Sequence, residues 1–73
     1  MDSHQLRLFE LKLKEIYDRT EWLQYEITLP DFIALFPVTF KNGEPKRPDM
    51  PEDFDLDSNT RLAIFVAYRQ AFS

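Results

Sequence analysis

Apolar positions recur at helical spacing in three places along this chain, and the longest such run closes it. Between Asp57 and Phe72, the residues Leu62, Phe65, Val66 and Phe72 share one side, while Ile64 and Tyr68 widen that face. Ala63, Ala67 and Ala71 line most of the remainder, leaving Arg61, Arg69 and Gln70 as polar breaks. A helix apolar over so much of its girth is a buried one, so the pattern predicts a buried helix over 58–72 with Phe65 as a core aromatic. Alanine raises helix propensity, and Asp57 or Ser58 can accept a bond from the unpaired amides of the first turn. The run Ile64-Phe65-Val66 also suits a pleated surface; the alanines and the cap favour the helix.

A first helix is predicted from residue 3 to about 26. Asp2 or Ser3 can cap it, with Gln5 placed three residues after Asp2 as a capping box requires. Leu6, Phe9, Leu13, Ile16, Tyr17 and Thr20 fall on one narrow stripe. Glu10 with Lys14 and Glu15 with Arg19 are four apart with the acid first, the favourable order for an ion pair. Leu8 and Leu11 lie off the stripe, either beneath another segment or as an exposed apolar spot. Past Thr20 the two periods compete. A continuing helix keeps Leu23 and Ile27 on the stripe and puts Trp22 and Tyr25 on the side of Leu8 and Leu11. Leu23, Tyr25, Ile27 and Leu29 also alternate with polar residues, as a strand would. No turn residue separates the two parts, which favours helix to about Glu26.

Thr28-Leu29-Pro30-Asp31 reads as a second helix start, since threonine caps and proline is tolerated in the first turn. Phe32, Ile33, Leu35 and Phe36 make it apolar, and Pro37 stops it, giving a helix over 29–36. Val38-Thr39-Phe40 reads as a short extended piece, and Asn42-Gly43 is a turn signal. A hairpin there needs a second strand, for which Glu44-Pro45-Lys46-Arg47-Pro48 is poorly suited. Residues 41–57 therefore read as a long irregular loop holding three of the five prolines and the only glycine, and loops of that length tend to be functional or mobile. The fold class is thus mainly α: a small three-helix domain over 1–73 with a proline-rich loop before the last helix. The alternative is α+β, with short strands near 22–29 and 38–41.

Composition narrows the function classes. There is no cysteine, so neither a disulfide nor a thiolate metal site supports the fold; this fits a reducing compartment. Seventy-three residues lie near the lower size for folding without such staples. The seven Phe, three Tyr and one Trp must supply the burial. A net charge of −4, with no basic block longer than Lys46-Arg47, argues against phosphate-driven binding of nucleic acid. Charges or prolines interrupt every apolar run short of a membrane span. Asp2 and His4 stand where a secretory signal has its basic region. The expected location is cytoplasmic.

Candidate chemistry is sparse. His4 is beside the terminus, where precise geometry is hard to hold, and the serines are terminal or cap-like, so no catalytic residue and no enzyme are expected. Asp53, Asp55, Asp57 and Asn59 have the alternating oxygen ligands of a calcium loop. Its sixth and twelfth places, which need glycine and glutamate, hold Ser58 and Ile64, so no metal and no cofactor are expected. Five acids without a base, Asp49, Glu52, Asp53, Asp55 and Asp57, alternate with Met50, Phe54 and Leu56. Such a segment either tucks its apolar residues into its own core or docks on a basic-rimmed apolar groove.

The expected function is a non-catalytic protein-binding module. It would act as an accessory or inhibitory regulator of a larger assembly, virus-encoded or bacterial, for example on a transcription complex such as RNA polymerase. The partner is expected to present a basic surface. Its contacts would be Asp49, Glu52, Asp53, Phe54 and Asp55, with Leu8, Leu11 and Trp22 in support. The alternatives are a structural homo-oligomer subunit, or weak imitation of nucleic acid by the acidic loop.

Overall fold

The computed structural model describes residues 3–73. Among them the order is α1 (Ser3–Arg19), α2 (Glu21–Glu26), α3 (Leu29–Ala34), β1 (Thr39–Lys41), β2 (Glu44–Lys46) and α4 (Ser58–Ala71). The architecture is mainly α, as the periodicity predicts, with a small hairpin added. α1 packs most extensively on α4. Phe9, early in α1, meets Tyr68 and Phe72, late in α4, edge-on at 5.8 and 6.0 Å, so the two helices run antiparallel. Phe9, Leu13, Ile16, Leu23, Phe32, Phe36, Leu56 and Ile64 form the core. The α1 stripe is therefore the buried one. The cap expected from Asp2 lies outside the described residues.

The first predicted helix is broken at Thr20, which is extended (φ −114°, ψ 91°). No glycine or proline marks the break; side chains make it. The Thr20 hydroxyl donates to the carbonyl of Ile16 at 2.7 Å, and its amide donates to that of Tyr17 at 3.2 Å. Gln24 Nε2 reaches back to the carbonyls of Tyr17 and Asp18 at 3.1 and 3.2 Å. The last carbonyls of α1, which have no partner within a helix, are satisfied by residues beyond the break. Tyr17 Oη then donates to the carbonyl of Ile27 at 2.7 Å and ties the end of α2 back to α1. The change of direction leaves Leu23 fully buried and Tyr25 81% exposed. Neither expected ion pair forms. Lys14 instead meets Asp18 at 2.7 Å, because exposed pairs differ by only a few tenths of a kcal/mol, roughly, too little for acid-first order to decide.

α3 begins as read: Thr28 Oγ1 accepts from the amide of Asp31 at 3.4 Å, and Pro30 sits in the first turn. The hairpin corrects the expectation of a long loop from Lys41. Asn42 and Gly43 both take positive φ, 56° and 80°, the geometry whose twist matches two antiparallel strands. Thr39 pairs with Lys46, Phe40 with Pro45, and Lys41 with Glu44. Counting outward from a two-residue turn, Phe40 and Pro45 form a non-hydrogen-bonded pair, so proline's missing amide costs the ladder nothing. Phe40 meets the Phe72 ring at 6.3 Å and fastens the hairpin to α4. The irregular connection is thereby shortened to 47–57.

α4 forms over the predicted span, but a different face is buried. Thr60, Ile64, Ala67 and Ala71 point inward. Leu62 is 62% exposed and Val66 42%, so two members of the expected core stripe are outside. Phe65 is half-buried beneath the Arg47 guanidinium, 4.9 Å above its ring. Mostly small side chains line the buried face of α4, and Phe9 of α1 packs on Tyr68 and Phe72 toward its C-terminal end. The wide apolar girth hid which side would be chosen.

Candidate protein-docking surface

Two regions present apolar or charged groups to the outside. The first is the pole formed by α2 and the irregular segment 47–57. Phe54 lies on Trp22 with ring centres 6.1 Å apart and planes inclined by 15°. Leu56 is buried, and Met50 and Phe54 are half-buried against the core. The segment's apolar residues thus turn inward while Asp49, Glu52, Asp53 and Asp55 are exposed. None of these four makes an ion pair among the described residues. Trp22 keeps 37% of its surface open, and Tyr25, three residues on along the same helix, is more exposed still.

Asp57 closes the segment differently from the cap expected of it. It is the residue before α4, yet its Oδ1 accepts a 2.5 Å bond from the Thr60 hydroxyl and none from a first-turn amide. That hydroxyl chiefly holds the Asp57 carboxyl below its ordinary pKa; desolvation opposes it, and the nearby amides of Thr60, Asp57 and Asn59 add a weaker pull without forming a cap bond. Thr60 is buried and its hydroxyl is satisfied by this bond.

The second region is the groove between α1 and α4, about 430 Å³ in volume. Ile16, Ala63 and Ala67 lie along it, Lys12 and Arg19 edge the α1 side, and Leu62 and Val66 form the α4 wall.

The structure brings Trp22 and Phe54 together from the expected contact residues, with exposed acids on either side of Phe54 in the chain. It does not bring in the two leucines. Leu8 is half-buried against the core. Leu11 is 53% exposed but sits eight residues before the end of α1, about 12 Å along the helix. Tyr25 was not among the expected contacts, although its spacing from Trp22 puts both on one side of a helix. Leu62 and Val66 were assigned to the core, and nothing in the local sequence marks them as outward. Among the described residues, no three His, Cys, Asp or Glu side chains are grouped to hold a metal ion. No helix is long and apolar enough to cross a membrane. No protein-family model, curated protein or solved structure matches the chain.

Proposed function

We propose that this protein is a non-catalytic protein-binding module, an accessory or inhibitory regulator that docks on a basic surface of a larger assembly. The supporting observation is the ordered pole: Phe54 stacked on Trp22, with open aromatic surface beside unpaired carboxylates. Aromatic faces attract guanidinium and ammonium groups, and carboxylates take the same groups as hydrogen-bonded partners. A surface offering both suits an arginine- or lysine-bearing partner. Because the segment is already packed, little freedom is lost on docking. The five acids of residues 49–57 exceed the whole chain's net charge of −4, so the long-range field centres on this pole and steers a basic partner toward it. A transcription complex is one assembly rich in such surfaces.

Immobilised protein, exposed to lysate from its source, should retain a partner that elutes as salt is raised. Reversing Glu52, Asp53 and Asp55 to lysine should leave the fold unchanged and slow association with that partner at least tenfold, roughly the scale of steering effects. Association as fast as wild type would remove the pole from consideration.

A further inference from the structure

We infer that the groove between α1 and α4 is a second docking site, which takes an acidic amphipathic helix of another protein. Its α4 wall is apolar: Leu62 and Val66, one helical turn apart, are both open to solvent. Bases border that strip on either flank. Across the groove on α1 stand Lys12 and Arg19, about 10 Å apart along the helix. On the other flank, Arg47 lies over Phe65, which the helical period turns to the far side of Leu62. Arg69 continues the strip past Val66, lining a hollow that shares Val66 and Gln70 with the groove. None of these bases makes an ion pair among the described residues, and Glu15 is the acid in the groove lining. A chain of net charge −4 thus sets Lys12, Arg19, Arg47 and Arg69 around one exposed apolar strip.

The occupant follows from that border. A helix laid in a groove anchors through apolar residues at one-turn spacing, the spacing of Leu62 and Val66. Carboxylates beside those anchors take the unpaired bases as charge-assisted partners. A second copy does not supply this ligand. Its acid-rich segment, 49–57, has Leu56 buried and Met50 and Phe54 packed against its own core, so the anchors are already used. A nucleic acid fits less well, because the aliphatic strip gives a base no ring to stack on and Glu15 repels phosphate. This site is independent of the acidic pole, which takes groups of the opposite charge. A chain with both joins two components of an assembly.

The probe is a synthetic helical peptide with leucines at one-turn spacing flanked by glutamates, titrated by NMR to about 1 mM, the weak end of specific affinity. Amide shifts should centre on α1 from Lys12 to Arg19 and on α4 from Leu62 to Arg69, and binding should weaken as salt is raised. Lys12→Glu with Arg19→Glu should weaken it at least tenfold, roughly the scale of charge reversal at an interface. Arg7→Glu with Arg61→Glu alters net charge equally, but neither residue lines the groove. That pair should weaken binding less than about threefold, since distant exposed charges are screened. Leu62→Ser with Val66→Ser should abolish binding while far-UV circular dichroism stays near wild type, since both residues are exposed. No shift at the highest concentration, equal losses from the two charge reversals, or equal binding of a peptide with lysines for glutamates would overturn the inference. So would a single-stranded oligonucleotide that moves the same amides at lower concentration, or self-association of the free chain that the Leu62 and Val66 changes remove. Reversing Glu52, Asp53 and Asp55 leaves the groove intact, so failure here and failure of the pole are separately visible.

Discussion

Ile64 and Phe65 are neighbours in sequence with opposite roles. Ile64 is fully buried between α1 and α4, whereas Phe65 is half-buried under an arginine. Ile64→Ala should cost about 2–5 kcal/mol through lost burial and a residual cavity, a large part of the stability of so small a domain. Phe65→Ala should cost less, about 1–2 kcal/mol, since it gives up partial burial and one cation–π contact. Urea denaturation of both variants checks the order, and a larger loss at Phe65 would contradict this placement of α4. Asp57 supplies a test in pH. Its folded pKa is lowered, so its stabilising contribution is complete above the ordinary carboxylate value. The contribution is lost as pH falls through the lower folded value. The stability gap between wild type and Asp57→Asn should be constant above about pH 5 and narrow below about pH 4. A gap unchanged down to pH 2 would mean that Thr60 does not favour the charged form.

At the scale of elements, two short devices set chain direction, and each rests on a few named residues. The hairpin depends on left-handed backbone at Asn42 and Gly43. A side chain added at Gly43 meets nothing within 4 Å, so any loss is conformational and not steric. Gly43→Val should therefore destabilise the hairpin by roughly 1–3 kcal/mol, seen as lost cross-strand contacts in NMR while α1 and α4 keep their chemical shifts. The break between α1 and α2 depends on Thr20 and Gln24. Tyr17→Phe removes the bond to Ile27 and should cost about 1 kcal/mol, with faster amide exchange confined to α2. Exchange unchanged in α2 would show that the clamp is dispensable.

Across the whole molecule, the radius of gyration is 12.0 Å and the longest extent 37 Å, somewhat above the roughly 11 Å expected of a compact chain this size. α1 by itself is about 25 Å long. The elongated shape leaves the acidic pole at the junction of α1 and α2, where Phe54 fastens it to Trp22. Phe54→Ala should release the segment without unfolding the helices. The expected signs are a red-shifted Trp22 fluorescence and faster amide exchange over 49–56, because a packed segment becomes a mobile one. Partner association should slow as well, since ordering then has to occur on docking. Unchanged exchange would show that Leu56 and Met50 hold the segment without help from the ring stack.

Local chemistry determined most of the elements. The stripe Phe9, Leu13 and Ile16, the Thr28 start of α3, the Asn42-Gly43 turn and the span of α4 all follow from spacing, caps and φ preference. These depend on residues within a turn of one another, and such interactions are present in the sequence itself. The break at Thr20 was not legible, because its stabilising bonds come from Gln24 reaching back and from Tyr17 reaching forward to Ile27. The suitability of Pro45 for β2 depended on ladder parity, which exists only once the register is set. The acidic segment was visible as charge, but only packing against α2 decided that Phe54 would face inward and meet Trp22. For α4, nearly every side was apolar enough to be buried. Which side became core was decided by packing on α1, since a close-packed interior must fit shape as well as polarity. The mostly small face of Thr60, Ile64, Ala67 and Ala71 turned inward, and the larger Leu62 and Val66 were left outside.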